Sequence, residues 1–219
     1  MIQAVIFDMD GLLIDSEPLW GEAEKAAFAK VGLQLTDELC NQTIGLRVDQ
    51  VIDHWCVTFP ELNVSKKEVE EDIMQNVLRL VRERGEARPG AKYILDFVKN
   101  KKVKMALASS SQLRLIKAVI EKMDIADYFD ELYSAEFEEH GKPHPGVYLT
   151  VAKVLDVPVQ NCLAFEDSFN GLLAAKAARI KCVCVPDETL RGSRKLGIAD
   201  EVLESLNDFN EAAWERLEN

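Results

Sequence analysis

The chain has 219 residues, of which 47% are hydrophobic and 29% are charged, and its formal net charge is −12. This length accommodates one large core with a smaller inserted unit. The negative charge argues against nucleic acid or an anionic membrane as a partner, since both require a basic patch. No apolar run approaches the ~18 residues that cross a bilayer and no basic-apolar leader is evident, so we expect a cytoplasmic protein. The five cysteines include no C-x-x-C pair, which favours free, buried thiols over disulfides or a zinc site.

The first predicted element is an apolar run, Ala4 to Phe7, typical of a strand buried on both faces. It leads into Asp8-Met9-Asp10-Gly11, so two carboxylates leave the strand at its carboxyl end, where ligands bind in open α/β sheets. Paired carboxylates suit a hard divalent cation, and Gly11 permits a tight turn beside a ligand. A simple polar turn is the alternative interpretation.

The stretch of residues 14–86 is predicted to be helical and to supply no strand to the sheet. Apolar residues recur at helical spacing in two parts of it: Ala23, Ala26, Ala27 and Val31, then Val69, Ile73, Val77, Leu80 and Val81. An insert directly after Asp8 and Asp10 would lie over the carboxyl end of the sheet as a lid. We therefore expect residues 1–13 and 87–219 to form the catalytic core and residues 14–86 an all-helical cap.

From residue 103 onward, short apolar runs alternate with helical patterns. We predict strands near 103–108, 131–134, 162–165 and 181–185, and helices near 112–123, 145–156 and 168–179, with Ser168 as an N-cap. This alternation is typical of βαβ units and a parallel sheet. The acidic tail, residues 207–219, is predicted to be a surface helix anchored by Ala213, Trp214 and Leu217.

Three later motifs bring residue types that phosphoryl transfer needs. Ser109-Ser110-Ser111 follows a strand and precedes a helix, where hydroxyls and amides form an anion site. Lys142 lies between Gly141 and Pro143 in a stiff turn, and Glu166-Asp167 add two acids at another strand end. Taken singly, Lys142 could be a solvated lysine, and Glu166-Asp167 an acidic helix start stabilised by the helix dipole.

In this order, the four motifs resemble those of the haloacid dehalogenase superfamily of aspartate-nucleophile phosphatases, over essentially the whole chain. Residues 8–20 are most similar to its sugar-phosphate phosphatases, the 2-deoxyglucose-6-phosphate and hexitol phosphatases. The resemblance implies a Rossmann-like, three-layer α/β core with a parallel sheet and an inserted helical cap. It implies that Asp8 is the nucleophile and that Asp10 is first the general acid and then the general base.

The metal expected at an all-oxygen, carboxylate-rich site that also engages phosphate is Mg²⁺. We assign its ligands as Asp8, the backbone carbonyl of Asp10, and Asp167. Glu166 either ligates the metal directly or acts through a bound water.

The residues expected to bind a small-molecule phosphate monoester come from the core and from the cap. They are Ser109, Ser110, Lys142, Glu17, Trp20 and Arg47. We expect Lys142 also to hold Asp8 in place. Arg47 could instead be an exposed arginine at a helix start, and Trp20 could simply pack within the cap.

The expected function is Mg²⁺-dependent hydrolysis of sugar or polyol phosphates, hexose phosphates such as 2-deoxyglucose 6-phosphate among them, by a monomer or a dimer. The alternative is a hexose-phosphate mutase resembling β-phosphoglucomutase, which has a cap histidine where this chain has Trp20. Dehalogenase and phosphonate-cleaving relatives lack the second aspartate, so Asp10 counts against both. A phospho-accepting receiver domain is shorter than this chain, and the intact acidic set argues against an idle binding protein.

Overall fold

A computed structural model describes residues 1–218, and they form one parallel sheet between layers of helices. The strands are β1 (Ala4–Phe7), β2 (Lys104–Ser109), β3 (Glu131–Ser134), β4 (Cys162–Glu166), β5 (Lys181–Cys184) and β6 (Glu201–Val202). Their order is β3-β2-β1-β4-β5-β6, and every pair is parallel. This is the strand order of the Rossmann fold, so the predicted fold class is confirmed.

Nine α-helices lie in the described residues. They are α1 (Glu17–Lys30), α2 (Asp37–Cys40), α3 (Val48–Thr58), α4 (Lys66–Arg84), α5 (Ala91–Asn100), α6 (Leu113–Met123), α7 (Gly146–Val154), α8 (Phe169–Ala177) and α9 (Glu211–Glu218). The tail is helical over α9, as predicted, while Asn219 lies outside the described residues. Among the described residues, no helix combines the length and the hydrophobicity that a membrane span requires.

Alternate residues of β1 divide the core into two clusters, as expected for a strand buried on both faces. Val5 and Phe7 pack in the cluster that contains buried residues of α5, α6 and α9. Ala4 and Ile6 pack in the cluster that contains those of α7 and α8. The sheet is therefore the middle of three layers. All five cysteines are free thiols, and the three in β4 and β5 are buried, as predicted.

Four helices, α1 to α4, follow β1 in the sequence, and the segment that they form contains no strand of the sheet. The two predicted helical stretches correspond to α1 and α4, which pack against each other. The segments before α1 and after α4 lie next to each other. Ile14 forms an antiparallel bridge with Ala87, and the backbone N–H of Asp15 donates to Glu86 O at 2.9 Å. The two ends of the stretch of residues 14–86 therefore lie side by side.

Two elements differ from the sequence-based expectations. Helix α5 was not predicted, although its buried residues Ala91, Ile94, Leu95 and Val98 follow helical spacing. Strand β6 has only two residues at the edge of the sheet, too few for a period-two pattern to be seen. Ser168 caps α8 as predicted, since its side chain accepts a hydrogen bond from Gly171 N at 3.1 Å.

The sheet register brings the polar motifs to one edge. Phe7, the last residue of β1, is aligned with Leu107 in β2 and with Phe165 in β4. Because all three strands run in the same direction, Asp8, Ser109 and Glu166 emerge side by side at their carboxyl ends, where ligands bind in this type of sheet.

Candidate active site

A cavity of about 480 Å³ lies between this edge of the sheet and helices α1 to α3. Eight of the ten residues predicted for the site line it: Asp8, Asp10, Glu17, Trp20, Ser109, Ser110, Lys142 and Asp167. Glu166 lies just behind the wall, in contact with Lys142. Arg47 is not among the lining residues.

Lys142 is the centre of a fully buried charge cluster. Its Nζ donates to Asp8 Oδ1 at 2.6 Å, to Glu166 Oε1 at 2.7 Å and to Ala108 O at 3.0 Å. The Tyr148 ring lies beneath the ammonium, with its centroid 5.1 Å away, and the Tyr148 hydroxyl also donates to Glu166 Oε1. Burial alone would lower the pKa of Lys142, but the charges of Asp8 and Glu166 outweigh it and raise that pKa. Lys142 therefore stays charged and fixes both carboxylates.

Carboxylate charge at this point exceeds what one lysine can balance. Oxygen atoms of Asp8, Glu166 and Asp167 all lie within 4.8 Å of one another, and Glu166 Oε2 and Asp167 Oδ2 have no hydrogen-bond donor among the described residues. Burial is the main cause of the raised pKa values of two of these acids. It raises the pKa of Asp8 to about 8, although the charge of Lys142 acts to lower it. It also raises the pKa of Asp167 well above its usual range. Converging, buried and partly unpaired oxygens fit a divalent cation.

Two glycines make room for these acids. A Cβ atom on Gly11 would lie 2.0 Å from Asp167 Oδ2, and Gly11 also has a φ of +72°, a conformation that L side chains rarely adopt. A Cβ on Gly171, in the first turn of α8, would lie 2.0 Å from Glu166 Oε2. The motif residues therefore need glycine neighbours for steric reasons, and Gly171 was not anticipated from the sequence.

Asp10 has surroundings quite unlike those of Asp8. Its Oδ1 accepts hydrogen bonds from Ser16 Oγ at 2.6 Å and from Trp20 Nε1 at 3.0 Å. Its Oδ2 accepts from Ser111 Oγ at 2.7 Å and from Ser109 Oγ at 3.3 Å. Two donors thus come from α1 and the residue before it, and two from the last residue of β2 and the loop that follows it. Together they fix the orientation of this carboxylate.

The structure places Trp20 and Ser109 on Asp10, a contact that the sequence did not reveal. The expectations were a Trp20 that stacks on a sugar or packs in the cap, and a Ser109 that binds phosphate. Ser110 Oγ donates to Gly45 O at 3.1 Å, so this hydroxyl joins the core to the loop before α3. Ser111, which was not named as a site residue, makes the shorter of the two serine contacts to Asp10.

Arg47 holds the same loop against the core and points away from the cavity. Its Nη1 donates to Ala135 O and Glu138 O, both at 2.9 Å, and its guanidinium also pairs with Asp49. Nearby, Asn170 Nδ2 donates to Ile44 O at 3.2 Å. The loop is therefore closed over the strand ends, and Arg47 is engaged with backbone carbonyls.

The cavity wall is strongly acidic. Its lining contains nine carboxylates, namely Asp8, Asp10, Asp15, Glu17, Glu24, Asp37, Asp167, Asp187 and Glu188. The lining cations are Lys142 and Arg88, and Arg88 pairs with Asp15 at 3.2 Å. Burial is the largest cause that raises the pKa of Glu17 to about 8 and that of Glu24 to about 7.

Comparison with known proteins gives a consistent result. The profile of the haloacid dehalogenase-like hydrolases matches residues 2–179. Hexitol phosphatase B of Escherichia coli is 41% identical over 210 residues, which are 95% of this chain and 94% of that protein. The phosphorylated carbohydrates phosphatase of Thermotoga maritima is 34% identical over 183 residues, 82% of this chain and 83% of that protein. Among solved structures, β-phosphoglucomutase from Clostridium difficile has a TM-score of 0.88 at 27% identity, covering 100% of this chain and 98% of that one.

Removal of the buried cation tests the charge cluster. Lys142→Met should lower the free energy of unfolding of the metal-free protein by about 3–5 kcal/mol, because Asp8 and Glu166 lose their shared partner. The matched control is Lys176→Met, which breaks a partly exposed pair with Asp200 and should cost about 1 kcal/mol or less. Urea denaturation measures both values. Equal losses in the two variants would contradict the cluster's role.

Proposed function

The chain belongs to the haloacid dehalogenase-like hydrolase family and is a phosphatase, and we propose that it hydrolyses small sugar or polyol phosphates with the help of Mg²⁺. The observation that carries the proposal is the pair of acids after β1. Asp8 lies on a buried lysine among further carboxylates, whereas Asp10 lies two residues away among four hydrogen-bond donors. The names of the two phosphatase relatives support the hexitol and carbohydrate phosphate class.

We further propose that residues 14–86 act as a cap over a core of residues 1–13 and 87–219. The adjacent entry and exit segments at Ile14 and Ala87 support this division. So does the closed loop around Gly45, which Ser110 and Asn170 hold against the strand ends. A closed cap would shield the phosphoryl group from bulk water and let the cap side of the cavity contact the leaving group.

The metal ligands in this proposal are carboxylate oxygens of Asp8 and Asp167 and the backbone carbonyl of Asp10. Glu166 would help either directly or through a water, since its Oε2 has no donor. A bound Mg²⁺ would supply charge neutralisation for the phosphate oxygens. Lys142 would add a second positive charge beside Asp8.

In the proposed reaction, a carboxylate oxygen of Asp8 attacks phosphorus while the bond from phosphorus to the leaving oxygen breaks. Asp10, in its protonated form, gives its proton to that oxygen, and an aspartyl-phosphate remains on Asp8. Asp10 then takes a proton from water, the water oxygen attacks phosphorus, and the bond to Asp8 breaks to release phosphate. The contacts from Ser16, Trp20 and Ser111 orient Asp10 for both proton transfers.

The acidic cavity favours hydrolysis over phosphoryl transfer between two sugar positions. A mutase passes through a bisphosphate, and the second phosphate needs a cation of its own. Among residues 1–218, the cations that line the cavity are Lys142 and Arg88, and both are paired with acids, while Arg47 points elsewhere. Trp20, in place of the mutase histidine, is occupied with Asp10.

The metal proposal predicts a thermal shift. Mg²⁺ at about 100 times its dissociation constant should raise Tm by roughly 5–10 °C, and a chelator should reverse the shift. Asp167→Asn should raise Tm of the metal-free protein, since it removes a carboxyl that burial makes costly to ionise, and should shrink the Mg²⁺ shift, since a carboxylate ligand is lost. The exposed Glu61→Gln is the charge-matched control. An undiminished Mg²⁺ shift in Asp167→Asn would contradict the ligand assignment.

The nucleophile proposal predicts that Asp8→Asn lowers phosphate release by about four orders of magnitude or more while the fold is retained. Asp10→Asn should cost ~100- to 10,000-fold, as expected for a general acid and base. Phosphate release in the presence of Mg²⁺ measures activity, and circular dichroism checks the fold. Full activity of a folded Asp8→Asn protein would refute the mechanism.

Substrate choice is tested with a panel of phosphate monoesters in Mg²⁺: both glucose phosphates, 2-deoxyglucose 6-phosphate and sorbitol 6-phosphate. With β-glucose 1-phosphate and a bisphosphate primer, the protein should release inorganic phosphate and form little glucose 6-phosphate, because the described cavity wall offers a second phosphate no unpaired cation. Efficient formation of glucose 6-phosphate would establish the mutase instead.

A further inference from the structure

Helix α1 presents three polar side chains to the cavity at positions that share one helical face. Glu17, Trp20 and Glu24 all line it, and their spacing of three and four residues places them in a row. The indole N–H of Trp20 donates a hydrogen bond to Asp10. In the proposed reaction, Asp10 is the residue that protonates the leaving oxygen. Glu24 lies four residues, or about 6 Å of helix, further along the wall.

Glu24 is an unusual residue for this position. Its side chain is 7% exposed, and its Oε2 is buried without a hydrogen-bond donor among residues 1–218. The thiol of Cys40 is its neighbour. A buried carboxyl oxygen without a donor costs stability. The charge of Lys25 acts on Glu24, but the Lys25 ammonium pairs with Asp37. The native state thus keeps a costly acceptor at the cavity.

From these contacts we infer that Glu24 is a specificity-determining residue, which accepts a hydrogen bond from a hydroxyl of the phosphate ester's leaving group. The inference rests on the proposed function and deepens it. An anionic leaving group would meet the carboxyls of Glu17 and Glu24 without a cation to pair with, and an apolar one would leave the Glu24 carboxyl unpaired. A neutral, polyhydroxylated leaving group instead supplies O–H donors to this wall.

A site that hydrogen-bonds a substrate hydroxyl discriminates strongly against substrates without one, because its own polar group is otherwise left unpaired. Glu24 should therefore influence the choice between substrates more than the chemical step, which takes place at Asp8 and Asp10. Its removal should also relieve the cost of the unpaired oxygen. A carboxyl with only a structural role would behave in the opposite way and would lower Tm when removed.

The test compares Glu24→Met and Glu24→Gln with wild type on sorbitol 6-phosphate and on p-nitrophenyl phosphate, an aryl ester without further hydroxyls. For Glu24→Met, the ratio of the two kcat/KM values should fall about 10- to 100-fold, as for one lost hydrogen bond to a charged acceptor, with KM for the polyol ester carrying most of the change. Glu24→Gln, which retains an acceptor, should recover part of the ratio. Tm of Glu24→Met should equal or exceed that of wild type.

The matched control is Glu22→Gln, on the same helix but exposed and paired with Arg84, and its ratio should equal that of wild type. If Glu24→Met leaves the ratio unchanged, or lowers Tm and both activities together, the inference is overturned while the proposed function stands. If wild type hydrolyses the aryl ester but no sugar or polyol phosphate, the proposed function fails and the inference fails with it.

Discussion

An excess of buried negative charge at the carboxyl ends of β1 and β4 governs the rest of this structure. The register that aligns Phe7 with Phe165 forces the acids that follow these strands together, and one ammonium, that of Lys142, serves both Asp8 and Glu166. In a buried site, such charges are tolerated only with excellent pairing or a metal. Neighbouring features accommodate them: Gly11 and Gly171 leave space for the carboxylates, and Tyr148 supplies a further donor.

Two aspartates of one short motif can take different roles because the fold gives them different surroundings. Asp8 directly follows the buried strand β1, and its carboxylate contacts the charge cluster around Lys142. Asp10 lies beyond it and meets hydroxyls and an indole N–H from two directions. Since Ser16 and Trp20 belong to the start of the inserted helices and Ser111 to the core, a displacement of α1 would change the orientation of Asp10. Cap position and proton transfer are coupled through this carboxylate in the proposed mechanism.

The sequence carries enough information for the sheet and its edge, but less for the cavity wall. Asp8, Ser109 and Glu166 each follow an apolar run, and parallel strands bring such positions together whatever the details of packing. The contact of Trp20 with Asp10 depends on the angle at which α1 crosses the strand ends, which periodicity does not encode. Arg47 could not be placed either, because its partners are backbone carbonyls of a distant turn. From the sequence alone, Glu24 is expected to be an exposed surface residue of an acidic helix, and only the structure shows that it is buried.

The unpaired buried oxygens of this cavity fall into two chemically different places. Glu166 and Asp167 converge with Asp8 within 4.8 Å, and several oxygens that close together call for a cation. Glu24 stands apart with a thiol as its neighbour, and a single carboxyl of that kind is satisfied by a neutral donor. Asp10 lies between the two. A phosphate ester of a neutral polyol has three parts that correspond to these three places in the cavity. Its anionic end needs a cation, its hydroxylated end needs hydrogen-bond acceptors, and its bridging oxygen needs a proton. The match between these two patterns is the physical basis for assigning this class of substrate to the site.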